Sequence, residues 1–356
     1  MGSVMAQTAA SGPAPQMRHE PALESPPQRR HQQPHVQRHT YGALDLGTNN
    51  CRLLIARPNE DGFTVIDAFS RIVRLGEGLS HSGRLSDEAM DRAVAALSVC
   101  GDKLRRRNFS LSRSVATEAC RRAANGRKSV ERVRDETGIV LEVIEPAEEA
   151  RLAMLGCHKL LEPGDGPALI FDIGGGSTEL VLIDQLDGVP KIRSWWSAPW
   201  GVVSLTDSEG RDAIEGAERV RAYERMRQRV RRSFDQFEAM LPKGRDGIRL
   251  LGTSGTVTTL ASVHLALPSY DRRAVDGLHV PSDAMRAISS MIAQMDHEER
   301  CALPCIGPER ADLVVAGCAI LEAILQIWPA EKLGVADRGI REGILRSLMA
   351  RDGHKL

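Results

Sequence analysis

Two stretches of the chain share one pattern of apolar and polar positions. A short apolar run ends in Asp, a turn of Gly, Thr, Ser and Asn follows, and a second apolar run leaves it. The first copy reads Tyr41-Gly-Ala-Leu-Asp45-Leu-Gly-Thr-Asn-Asn50, continued by Cys51-Arg-Leu-Leu-Ile-Ala56. The second reads Ala168-Leu-Ile-Phe-Asp172-Ile-Gly-Gly-Gly-Ser177-Thr-Glu179, continued by Leu180-Val-Leu-Ile183. Apolar runs bounded by turn residues predict strands, so each copy predicts a hairpin. The two Asp lie 127 positions apart, a plausible domain length. Elsewhere the period changes to that of helices. Met90, Val94, Leu97 and Leu104 recur at helical spacing over Asp87–Arg106, with Ser86 as the cap. Further helices are expected over Ala147–Lys159, Ala213–Met240, Ser282–Met295, Pro308–Trp328 and Gly339–Ala350. Strands are expected over Ile139–Ile144 and Ile248–Leu251. Strands alternating with helices predict an α/β fold.

Size and composition sharpen this only in part. A chain of 356 residues suits two domains. With 42% hydrophobic and 26% charged residues it has a globular composition. No apolar run approaches the roughly 18–20 residues that cross a bilayer, so no membrane partner is expected. Residues 1–40 are rich in Pro, Gln, His and Arg without an apolar core, which predicts a disordered tail rather than an export signal. That tail takes four of the 47 basic and two of the 47 acidic residues, leaving 43 against 45. A polyanion ligand would therefore need local basic clusters, and no nucleic-acid partner is expected. The seven scattered cysteines form no zinc set and read as reduced thiols of a cytoplasmic protein.

The hairpin turns carry the candidate chemistry. Glycines let backbone N–H groups converge on an anion without a side chain in the way. Gly47, Thr48, Asn49 and Asn50 form one such loop; Gly174, Gly175, Gly176, Ser177 and Thr178 form the other. Asp45 and Asp172, each at a strand end, can hold hydrated Mg²⁺ or another divalent cation, with Glu179 pointing back from the return strand. A third loop, Gly252-Thr-Ser254-Gly255-Thr256, opens a helix whose N-terminus favours anions. No Lys-Ser/Thr pair follows, so it is not a Walker loop.

Three phosphate loops in this order resemble the actin-like phosphotransferase superfamily. Within it the chain resembles the exopolyphosphatase and guanosine pentaphosphatase family. The residues carrying that resemblance are Glu148-Glu149-Ala-Arg-Leu152, Asp172 through Glu179, Arg74-Leu-Gly-Glu-Gly78, Thr117 with Arg121 and Asn125, and Gly201-Val-Val-Ser-Leu205. Ser254-Gly-Thr256, Arg310 with Gly317, and Arg341-Glu-Gly343 add to it. The resemblance implies two actin-like (ribonuclease H-like) domains with an active-site cleft between them. Domain I would run over 41–161, with 339–356 returning to it, and domain II over 162–338. It also implies that Glu149 activates water, that Asp172 and Glu179 hold the metal with Asp45 as an outer partner, and that Arg74 and Arg121 hold phosphate oxygens. Asn50 stands where many members carry Ser, still a donor. The expected form is the short one, because no His-Asp pair marks the extra C-terminal module of long members.

The expected reaction is hydrolysis of the terminal phosphoanhydride of inorganic polyphosphate, with guanosine pentaphosphate as the alternative substrate. An actin-like small-molecule kinase and an ATP-binding chaperone are the readings from other classes. A homodimer is the expected assembly. The arginines and lysine at 105–107, 113, 122, 127 and 128 read as a solvated face rather than a polyanion track.

Overall fold

A computed structural model describes residues 39–354, apart from 61, 108, 165, 187–188, 211–215 and 242–246. The expected tail, 1–40, lies outside the described residues except at its end, where Thr40 is buried and accepts from Ser110 N at 2.7 Å. Two sheets form the frame. The first has the order β3-β2-β1-β4-β5, with β1 at Tyr41–Leu46, β2 at Asn50–Asn59, β3 at Gly62–Ile72, β4 at Leu111–Ala116 and β5 at Glu142–Val143. The second has the order β10-β11-β9-β6-β7-β8. Its strands are β6 (Ala168–Ile173), β7 (Thr178–Leu186), β8 (Val189–Ala198), β9 (Arg249–Thr253), β10 (His279–Pro281) and β11 (Lys332–Ala336). Each sheet is an antiparallel three-strand meander with two parallel strands added beside its first member, and the second sheet ends in β10, antiparallel to β11. The fold is mixed α/β, one design used twice.

Register fixes what each hairpin presents. In the first, Asp45 pairs with Arg52; in the second, Asp172 pairs with Glu179. Cross-strand partners on a pleated pair project to the same face, so each Asp stands beside the residue seven positions later.

Several expected elements end differently. The 139–144 strand shrinks to β5, since Gly138 in a left-handed conformation turns the chain out of the preceding helix and only two residues reach the ladder. The 213–240 helix is two helices, Arg219–Ser233 and Asp235–Met240, meeting at the fully buried Phe234. The 308–328 helix begins at Val314, after turns through residues 304–313. The Ser86 cap holds, accepting from the amide of Ala89 at 3.2 Å. The third meander strands, β3 and β8, had no expectation.

The helix Pro146–Cys157 lies against both frames. Leu152 packs with Ile344, Leu345 and the first sheet, while Ala150, Met154 and Cys157 pack with Ile170 and Val181 of the second. Its crossing with the last helix, Ile340–Arg351, is set by glycine. A Cβ on Gly156 would lie 2.0 Å from the carbonyl oxygen of Gly339, and one on Gly343 would lie 2.0 Å from that of Leu152. Backbone cannot yield as a side chain can, so even one methyl group forces the helices apart. Gly156→Ala should lower unfolding free energy by about 1–3 kcal/mol, measured by urea denaturation. Unchanged stability would show that the crossing relaxes freely.

Candidate active site

The two glycine turns and the helix opened by Ser254 meet at one cavity of about 140 Å³. A single water occupies on the order of 10–15 Å³ on this measure, so the space suits an anion of many oxygens.

Both hairpin turns are built the same way. The carbonyls of Thr48 and Asn49 accept from Gly76, Val73 and Arg74 at 2.8–3.0 Å. Those of Gly174 and Gly175 accept from Val202, Val203 and Ser204 at 2.7–3.2 Å, and Ser204 Oγ donates to Gly176 O at 3.0 Å. The acceptors of each turn are consumed by a supporting segment, which favours an anion at the turn's donor side. The Gly201-Val-Val-Ser segment thus serves as a buttress. Neither turn contains a positive φ. The glycines are required by approach: a Cβ on Gly175 would lie 2.9 Å from Thr48 Cβ, and one on Gly176 2.0 Å from Glu118 Oε2. The sequence reading gave them to the ligand; the opposite wall is the nearer reason.

At the third turn Ser254 has φ of 131°, a strained conformation for a residue with a side chain, of the kind that clusters at functional sites. Its hydroxyl accepts from Thr256 N at 3.2 Å and caps the helix Gly255–His264. Ser254, Gly255 and Thr256 all line the cavity. Thr117, which follows β4 as Ser254 follows β9, lines the opposite side.

Glu149 lies in the first turn of its helix, 6% exposed and facing the cavity. Arg121 reaches it with two nitrogens at 3.3 Å. Glu148 points elsewhere, paired with Arg113 at 2.7 Å and with Arg151 at 2.7 Å. Environment separates the adjacent acids. Burial, then the nearby Glu179 carboxylate, pushes the Glu149 carboxyl well above the usual range. The Arg151 and Arg113 hydrogen bonds hold Glu148 below it, against the effect of its partial burial.

Opposite Glu149 stand Asp172, Glu179 and Asp45. Asp172 is pushed up to about 8, first by burial and then by Glu179. Asp45 and Glu179 are raised by burial as well. Glu179 Oε1 accepts from Ser177 at 2.7 Å and Ser197 at 2.9 Å, and Asp45 Oδ1 is buried without a hydrogen-bond partner. This is an oxygen-donor set with spare acceptors, which fits a hard cation. Among the described residues no three His, Cys, Asp or Glu side chains are gathered in metal-holding geometry.

Three expected site residues are placed elsewhere. Arg74 forms an ion pair with the buried Asp312 at 3.1 Å and does not line the cavity. Thr178 donates its hydroxyl to Trp200 O at 2.7 Å. Arg121 acts on Glu149 rather than on the cavity. Gly47, Thr48, Asn49, Asn50, Gly174, Gly175, Gly176 and Ser177 all line it, as do Asp45, Asp172 and Glu179. Arg52, Thr117, Thr259 and Arg310 line it too and went unforeseen as site residues. Arg310 donates to Thr259 Oγ1 at 2.7 Å. Arg52 was discoverable, because it occupies in the first hairpin the position of Glu179 in the second.

The chain as a whole has known relatives. Residues 54–352 match the Ppx/GppA phosphatase family. The chain belongs to that family. It is 30% identical over 320 residues to exopolyphosphatase 2 of Mycobacterium tuberculosis, covering 86% of this chain and 97% of the relative. A solved Ppx/GppA family member from Aquifex aeolicus superposes with a TM-score of 0.72 at 28% identity, over 89% of this chain and 99% of that one. An exopolyphosphatase from Cytophaga hutchinsonii gives 0.77 at 25% identity, over 89% and 99%. The two-sheet, actin-like frame described above is that of Ppx/GppA structures. Among the described residues no helix is long and apolar enough to cross a membrane.

The carboxyl groups of this Ppx/GppA phosphatase give a pH signature in metal-free buffer. Asp172 titrates near 8 when folded and near 4 when unfolded. Its favourable contribution is complete below the unfolded value and is lost as pH rises through the folded one. Asp172→Asn should therefore melt higher than the parent at pH 8–9, with the difference shrinking towards zero near pH 4. A difference independent of pH would contradict this environment for Asp172.

Proposed function

We propose that the protein is an exopolyphosphatase, hydrolysing the terminal phosphoanhydride of inorganic polyphosphate and releasing orthophosphate. The observation that carries this reading is a buried Glu149 carboxylate facing a cavity walled by two amide-lined turns and, opposite, by Asp172 and Glu179. Names of relatives, including exopolyphosphatase 2, support the substrate class. The domain division at 41–161 with 339–356, and 162–338, puts the first turn and Glu149 on one wall and the second and third turns on the other.

Amides at Thr48 and Asn49, Gly175 to Ser177, and Ser254 and Gly255 orient the terminal phosphate, while those of Gly47, Gly174 and Thr256 are donated within their own turns and hold them in shape. Glu149 accepts the proton of the attacking water, and Arg121 holds that carboxylate in position. Arg52 and Arg310 supply positive charge to phosphate oxygens, a task suited to the planar guanidinium fork. Asp172 and Glu179, with Asp45 behind them, would hold a divalent cation that offsets charge building on the phosphoryl group. No aromatic side chain lines the cavity among the described residues, so guanine has no stacking surface there. That observation favours polyphosphate over guanosine pentaphosphate.

Glu149→Gln should lower kcat by about 10²–10⁴-fold while leaving KM nearly constant. Near-normal turnover would remove Glu149 from the role, and an equal loss in Glu148→Gln alone would move it by one position. Chelation should abolish phosphate release and Mg²⁺ should restore it, with a higher Mg²⁺ requirement in Glu179→Gln. Full activity in excess chelator would refute a metal at these carboxylates.

A further inference from the structure

A second, smaller cavity of about 40 Å³ lies against the first and shares Asp45, Arg52, Asp172, Ser254 and Ile340 with it. Its remaining wall is Thr253 with Asp337, Arg338, Gly339 and Arg341, in the segment that leads into the last helix. At roughly 10–15 Å³ per water it holds about three waters, the size of one small tetrahedral anion and too little for a polymer.

Its lining holds three acids, Asp45, Asp172 and Asp337, and three arginines, Arg52, Arg338 and Arg341, which are not all engaged alike. Asp337 is already paired with Arg272 at 3.2 Å, and Arg338 with Asp276 at 2.8 Å. Arg52 and Arg341 make no hydrogen bond or ion pair among the described residues, although each is close enough to act on the other electrostatically. Asp45 and Asp172 face them without closing on them. Two neighbouring guanidiniums with unused donors can grip one tetrahedral oxyanion from two sides.

We propose that this chamber binds inorganic orthophosphate, held by Arg52 and Arg341, and receives the released product while the shortened polymer still occupies the cleft. The proposal rests on the hydrolytic reading above. Exo-hydrolysis frees the terminal phosphate beside the residues that the two cavities share, and the remaining polymer still occupies the larger one. A chamber behind Asp172 gives that phosphate a place to go.

The test uses the Glu149→Gln protein saturated with linear polyphosphate and titrates inorganic phosphate by calorimetry. One phosphate should bind per preloaded protein. Adding Arg341→Gln should weaken that binding by about 10–100-fold, the effect of losing charge-assisted hydrogen bonds. Affinity for polyphosphate should change by less than about threefold. Gly339→Ala is a second arm that removes no charge. Its methyl group would sit 3.4 Å from Thr253 Oγ1 and 3.9 Å from Asp172 Oδ2, in ordinary contact, and would fill part of the chamber. It too should weaken phosphate binding. Displacement of phosphate by polyphosphate in simple competition would overturn the proposal, as would parent-like phosphate binding in both variants. The hydrolytic reading fails separately, if the unmutated protein releases no phosphate from polyphosphate.

Discussion

Asp45, Asp172, Glu179 and Glu149 converge on one cavity from two hairpins and a helix, and holding these carboxyls together out of water is the constraint that the surrounding structure must meet. Glu149 and Asp172 each feel the other carboxylates as well as the loss of water. Left to relax, the two hairpins and the Glu149 helix would separate and let solvent in. What prevents this is packing that cannot yield gradually. Glycine-to-carbonyl contacts lock the Glu149 helix onto the last helix, and strand register fixes Asp172 beside Glu179. Arg52 and Arg121 offset part of the charge. A bound cation would offset more, which ties metal affinity and local rigidity to the same groups.

The turns show how backbone can be made into an anion site without a cationic side chain. Each turn's carbonyls are tied to a supporting segment, residues 73–76 in one case and 202–204 in the other. The second support is a helix N-terminus, whose donors are used on carbonyls rather than on a ligand. This explains why motifs remote from the turns, Arg74 to Gly78 and Gly201 to Leu205, belong to the same pattern. Their residues hold the site in shape and leave the cavity to others. Arg74 shows the difference: its side chain ties its loop to Asp312, and only its backbone serves the turn.

Both hairpins, their strand-end Asp residues and the third turn were legible in the sequence because each depends on local pattern. Glu149 could be told from Glu148 only through family resemblance, since the distinction arises from which helix face meets the second sheet. Arg74, Arg121 and Thr178 turn to other partners for a related reason. A charged or hydroxyl side chain beside a phosphate loop has several partners within reach, and tertiary contacts choose among them. The basic residues over 105–128 resolve the same way: Arg105, Arg107, Arg113, Arg122 and Arg127 each pair with an acid. The break at Phe234 was hidden because helical periodicity continues through it. The interruption comes from burying that ring against Trp328.

The near-repeat also explains how one hairpin design serves two chemical ends. Register gives each strand-end Asp a neighbour seven residues on, and that neighbour is Arg52 in one copy and Glu179 in the other. Two glutamates would make a symmetric anionic cleft, suited to cations and hostile to polyphosphate. Two arginines would attract polyphosphate but leave only the two strand-end Asp as oxygen donors for a metal, each facing a guanidinium. One of each makes the walls unlike. The Glu179 wall offers carboxylate oxygens, and the Arg52 wall offers a guanidinium that reaches within 4.0 Å of a Cβ built on Gly255, at the third turn. In the proposed reaction the phosphoryl group needs both at once, a cation on one side and a fixed donor on the other. Breaking the repeat's symmetry at this single register position is the smallest change that supplies both.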